Sequence, residues 1–100
     1  MIARVKVDGN YLTTIDQNGK NITRSYRRGN FIGNSSEIVI VQNGNYIEVF
    51  DEKFKQLSRK PIKMDAFLGA SGETFSIQIG NYAETYTAKG KKISRKVSKL

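Results

Sequence analysis

The dipeptide Asn-Tyr occurs at Asn10-Tyr11, Asn45-Tyr46 and Asn81-Tyr82, at intervals of 35 and 36 residues. A chain of 100 residues that repeats itself on this scale must build several copies of one small unit rather than one irregular core. Counted from each tyrosine, the fourth residue on is Ile15, Phe50 or Tyr86, and the ninth is Lys20, Lys55 or Lys91. The eleventh is Ile22, Leu57 or Ile93, and the thirteenth is Arg24, Arg59 or Arg95. Gly9, Gly44 and Gly80 stand two residues before the tyrosines, and Phe31-Ile32-Gly33 is echoed by Phe67-Leu68-Gly69.

Each unit reads as β-structure. β-Branched and aromatic residues dominate Glu37-Ile38-Val39-Ile40-Val41 and Tyr46-Ile47-Glu48-Val49-Phe50, and Gly or Asn-Gly marks each reversal, which is the composition of tight hairpins. Two-residue turns at 18–19, 53–54 and 89–90 would set Ile15 opposite Ile22, Phe50 opposite Leu57 and Tyr86 opposite Ile93. On the same face Glu48 would then oppose Arg59 and Glu84 would oppose Arg95, with Thr13 opposite Arg24. Phe54 replaces the glycine of the middle turn, so that turn is expected to differ. A full unit has four strands, 31–33, 37–42, 46–51 and 55–62. The first copy starts at its second strand, because Met1 aligns with Ser36. One all-β domain over 1–100 is expected, with units at 1–29, 30–63 and 64–100.

The strand pattern of 45–51 followed by Lys55-Gln56-Leu57 resembles the third and fourth strands of NHL-type β-propeller blades. The resemblance implies a propeller, which closes with about four to eight blades. Three units are too few, so it implies a two-fold homodimer that completes six. A β-trefoil or a sandwich folded from a long meander stays open as an alternative.

The chain has no cysteine and no histidine, which removes disulfides, thiolate nucleophiles, zinc sites and Ser-His-Asp triads. Glu37 and Glu73 recur at matching positions, but one acid per repeat is not a catalytic pair. No enzyme activity, cofactor or metal is expected. No stretch has the apolar length of a signal or a membrane span, so the expected location is cytoplasmic, with no membrane partner.

The net charge of +8 sets up a field that attracts nucleic acid or acidic partners. Arg24, Arg27 and Arg28 form one basic cluster; Lys89, Lys91, Lys92, Arg95, Lys96 and Lys99 form another, whereas 29–52 and 64–88 hold no lysine or arginine. Such segregation would put a basic rim on the molecule, and Arg24, Arg27, Arg28, Lys91, Lys92, Lys96 and Lys99 are its candidate binding residues. Tyr11, Tyr46 and Tyr82, with Tyr26 and Phe31 nearby, are candidates for stacking on bases or sugars; packing between units is the competing use of these rings. Arg59 and Arg95 are expected to be tied to Glu48 and Glu84, as ordinary edge-strand ion pairs. The sequons at Asn21 and Asn34 carry no weight without a secretion signal. Gly69-Ala70-Ser71-Gly72 lacks a phosphate-loop lysine and reads as a turn. The expected function is a non-enzymatic, self-associating binding module for a macromolecular partner, with nucleic-acid binding and a lectin-like site as alternatives.

Overall fold

In a computed structural model of the protein, residues 1–26 and 29–98 are described, and their regular elements are strands. These are β1 (Arg4–Asp8), β2 (Tyr11–Ile15), β3 (Asn21–Tyr26), β4 (Asn30–Asn34), β5 (Ile38–Asn43), β6 (Tyr46–Asp51), β7 (Gln56–Pro61), β8 (Ala66–Ser71), β9 (Thr74–Ile79), β10 (Tyr82–Thr87) and β11 (Lys92–Val97). They form three antiparallel sheets, β1-β2-β3, β4-β5-β6-β7 and β8-β9-β10-β11. Each sheet is one copy of the repeat, and the first lacks the opening strand that β4 and β8 provide in the others. Among the described residues the three sheets do not close into a barrel or ring.

Gly9, Gly44 and Gly80, with φ of 61°, 62° and 59°, each open a two-residue turn that pairs Asp8 with Tyr11, Asn43 with Tyr46, and Ile79 with Tyr82. Positive φ at the first central position is what a type II′ hairpin requires.

The second hairpin of each copy departs from the expected geometry in two ways that cancel. Its loop has three residues rather than two, closed by the Asp16 N–H to Lys20 carbonyl bond (2.9 Å) and its counterparts Asp51–Lys55 (3.0 Å) and Thr87–Lys91 (2.8 Å). A β-bulge then shifts the register by one. Ile15 therefore faces Asn21, Phe50 faces Gln56 and Tyr86 faces Lys92, instead of Ile22, Leu57 and Ile93. Beyond the bulge the expected pairs Thr13–Arg24, Glu48–Arg59 and Glu84–Arg95 are in place. A type I turn followed by a left-handed residue and a bulge explains the pattern. Asp16 Oδ1 accepts the Asn18 and Lys20 N–H groups, both at 2.9 Å, and Asp51 Oδ1 accepts those of Lys53 and Lys55 at the same distance. The middle turn is consequently not different: Phe54 takes φ of 61° where the other copies have Gly19 and Gly90. Gly69–Ser71 are likewise strand rather than turn, as β8 runs to Ser71 around a bulge between Phe67 and Gly69.

The second sheet supplies both layers of the core. Ile38, Ile40, Ile47 and Val49 on one face pack with Phe75, Ile77, Tyr86 and Ala88 of the third sheet. On the other face, Val39, Val41, Phe50 and Phe54 pack with Ile2 and Leu12 of the first copy. Burial on both faces accounts for the unbroken apolar run 38–41, where a half-exposed strand would alternate. Polar ties fix the order of the sheets: Thr14 Oγ1 donates to the Glu52 carbonyl (2.8 Å), Ile2 N–H to the Ser36 carbonyl (2.7 Å), and Ser35 Oγ to the Gly72 carbonyl. The terminal ammonium of Met1 lies 2.9 Å from Glu52. The opening strands β4 and β8 approach each other, with the Phe67 ring against Gly33.

Candidate functional site

The last strand of every copy, β3, β7 or β11, is a sheet edge, and none of the three contains an acidic residue. In each copy the repeated arginine lies over the ring of the repeated tyrosine. The guanidinium carbon of Arg24 is 4.1 Å from the Tyr11 centroid, that of Arg59 3.8 Å from Tyr46, and that of Arg95 3.7 Å from Tyr82. The register causes this, because residues diagonal across a strand pair on one face lie within reach of long side chains. Tyr46 and Tyr82 are thus partly exposed surface rings capped by arginine, a cation–π arrangement.

In the second and third sheets a buried carboxylate completes the cluster. Glu48 Oε2 is 3.0 Å from Arg59 Nε, and Glu84 Oε2 is 3.4 Å from Arg95 Nε. Glu84 also meets Lys92 Nζ at 3.3 Å and accepts the Tyr86 hydroxyl at 2.6 Å. Lys92, expected to be a free cation, is therefore paired, and it shares the one carboxylate of Glu84 with Arg95. The Tyr86 hydrogen bond, reinforced by Lys92 and Arg95 against the cost of burial, lowers the Glu84 pKa. Burial together with the same hydrogen bond pushes Tyr86 up to about 12.

These shifts have a sign. Glu84 ionises more readily folded than unfolded, so its contribution is present at neutral pH and is lost as pH falls through the carboxylate range. Tyr86 holds its proton more tightly when folded, so its contribution is complete below its unfolded value near pH 10 and is lost as pH rises towards 12. Thermal unfolding of wild type and Glu84→Gln across this range is expected to show the difference between them shrinking at acid pH. A difference that stays constant from pH 7 to pH 3 would contradict the assignment.

The first sheet breaks the pattern. At register-equivalent positions Val39 and Phe75 become Arg4, Val41 and Ile77 become Lys6, and Glu48 and Glu84 become Thr13. Leu12 and Thr14 face the second sheet, so strand alternation turns Tyr11, Thr13 and Arg24, with Arg4, Lys6 and Tyr26, to the opposite face. Tyr11 is 41% exposed and Tyr26 47%, and their rings meet edge to face at 5.5 Å. Among the described residues no carboxylate pairs with Arg24. The result is two exposed rings beside three cations, with Asp8 as the one acid on that face.

Of the residues expected in the site, Arg24 and Tyr11 come together here. Lys91, Lys92 and Lys96 belong to the third sheet, at the other end of the stack. Arg27, Arg28 and Lys99 lie outside the described residues. Arg4 and Lys6 were not expected: the signal for them is a departure from the repeat, which a search for matching positions passes over. The outer face of the third sheet also departs, with Thr74, Ser76, Ala83 and Thr85 where the second sheet has Ile38, Ile40, Ile47 and Val49. Both ends of the stack are therefore hydrophilic.

A cavity of about 600 Å³ opens between the second and third sheets at their turn ends, rimmed by Glu37, Glu52, Glu73, Lys53 and Lys89. Its charges of both signs give it no single-sign field. Among the described residues no group of histidine, cysteine, aspartate or glutamate side chains could hold a metal ion, and no helix is long and apolar enough to cross a membrane. No protein-family model, curated protein or solved structure matches the chain.

Proposed function

We propose that the protein is a non-enzymatic binding module whose first sheet takes single-stranded nucleic acid, with bases on Tyr11 and Tyr26 and phosphates on Arg4, Lys6 and Arg24. One observation carries this reading: where the other two copies hold apolar residues and a carboxylate, the first copy holds two cations and Thr13. Aromatic rings beside cations on an open face suit an anionic polymer with stackable units. The half-ring dimer expected from the count of units would bury Arg4, Lys6 and Arg24 against the hydroxyl-bearing face of the third sheet. Hydrophilic faces at both ends of a repeat stack favour instead one copy acting alone.

The test restores the repeat. Thr13→Glu places a carboxylate where Glu48 and Glu84 meet their arginines, so the fold is expected to keep its melting temperature while Arg24 is neutralised. Binding of a labelled dT12 at low salt should then weaken at least tenfold. For wild type, the log-log dependence of affinity on salt should slope by about −0.7 per phosphate contacted, and Tyr11→Ala should weaken binding with little change in that slope. Equal affinity of wild type for polyglutamate and dT12 would reduce the site to charge alone, and undiminished binding by Thr13→Glu would overturn the assignment.

A further inference from the structure

A second groove, of about 540 Å³, lies between the second and third sheets and is lined by Arg59, Lys60, Pro61, Ile62, Tyr86 and Lys92. It differs from the mixed-charge cavity at the turn ends. Lys60 pairs with Ile47 across β6 and β7, which sets it on the face turned to the third sheet. Its stem runs along Gly90 so closely that a Cβ there would fall 3.0 Å from Lys60 Cε. Lys60 thereby lines the groove wall, and among the described residues its ammonium has no carboxylate partner. Lys92 stands on the far wall, and Glu84 behind it offsets only one of the charges that Lys92 and Arg95 bring. Pro61, Ile62 and the Tyr86 ring give the groove an apolar floor between cations.

We infer that this groove is a second phosphate subsite for the same bound strand, which crosses the edge of the second sheet at β7 and places a phosphate between Lys60 and Lys92. The inference rests on the reading of the first sheet as a single-strand platform and adds the path and length of the ligand. Stacked sheets lie about 10 Å apart, so the path from the outer face of the first sheet to this groove is roughly 20 Å. Even at the roughly 3.4 Å per nucleotide of helical geometry, about six nucleotides cover it. A trinucleotide at that rise covers only about 10 Å and is too short while its bases stay stacked.

The experiment compares dT3, dT6 and dT12 on wild type and Lys60→Gln by fluorescence anisotropy across a salt series. Lys60 touches solvent and a glycine, so the variant should melt with wild type. Affinity of wild type is expected to rise from dT3 to dT6 by more than tenfold and then level. Lys60→Gln should remove most of that rise, lower the salt slope for dT6 by about 0.7, and leave dT3 unchanged. If dT3 and dT6 bind wild type alike, or if Lys60→Gln leaves the dT6 slope unaltered, the groove subsite is refuted while the first-sheet platform stands. If no oligonucleotide binds wild type at low salt, both are refuted.

Discussion

Phe54→Ala is expected to cost about 3–5 kcal/mol, the range for truncating a buried phenylalanine, out of a total stability of order 5–15 kcal/mol for a domain. The ring is buried in the layer between the first and second sheets, beside Phe50 at 6.2 Å between centroids. What singles it out is the backbone beneath it. Phe54 is the one non-glycine residue with positive φ among those described, a conformation that costs an L-residue about 1–2 kcal/mol. Burial of the ring offsets that strain in the middle copy; the other two copies avoid it with glycine. Alanine keeps the strain and loses the ring. Phe54→Gly loses the ring and the strain together, so it should be about 1 kcal/mol more stable than Phe54→Ala. Chemical denaturation of the two variants checks both statements. A cost below about 1 kcal/mol for alanine would remove Phe54 from the core, and a glycine variant less stable than the alanine one would remove the strain.

Gly33→Val is expected to be strongly destabilising. A Cβ at Gly33 would sit 2.6 Å from Phe67 Cε2 and 3.0 Å from Cζ, well inside van der Waals contact, and the added methyls crowd the same ring. The position lies within β4, where a β-branched residue suits the backbone, so the cost is one of overpacking, about 3 kcal/mol. Phe67→Ala alone should cost a similar amount by leaving a cavity. Together they should cost less than their sum, since valine fills part of the space the ring vacates. A coupling of at least about 1 kcal/mol in the double-variant cycle is expected. Additivity within about 0.5 kcal/mol would mean that β4 and β8 do not meet through this pair.

Much of the fold was legible in one chain because it is written three times. The recurrence of Tyr11, Tyr46 and Tyr82 located the copies and showed the first to lack a strand. The pairs Glu48–Arg59 and Glu84–Arg95 followed from hairpin register alone. The turn details did not follow. A three-residue loop with a bulge and a two-residue loop without one give the same pairing beyond the bulge, and the signal that separates them, Asp16 and Asp51 capping their own turns, needs the backbone geometry. Phe54 read as an exception for a similar reason: propensity disfavours phenylalanine at positive φ, and only its place between two sheets shows what compensates.

The candidate site divides along the same line. Repetition located the tyrosine and the arginine that recur in each copy, and the missing cysteine excluded thiol chemistry, because identical spacing and missing residue types are properties of the chain itself; that each arginine lies over its tyrosine is a finding of the structure. Which of the three pairs stands open was decided only by stacking. Arg4, Lys6 and Thr13 are unremarkable as letters; they matter because Leu12 and Thr14 face the second sheet, so alternation turns these three with Tyr11 and Arg24 to the outer face, where Arg4, Lys6, Tyr11 and Arg24 are exposed and Thr13 is buried beneath them. A β-strand has two faces that local sequence cannot tell apart when both carry mixed residues, and contact with a neighbouring sheet is what assigns one of them to the core.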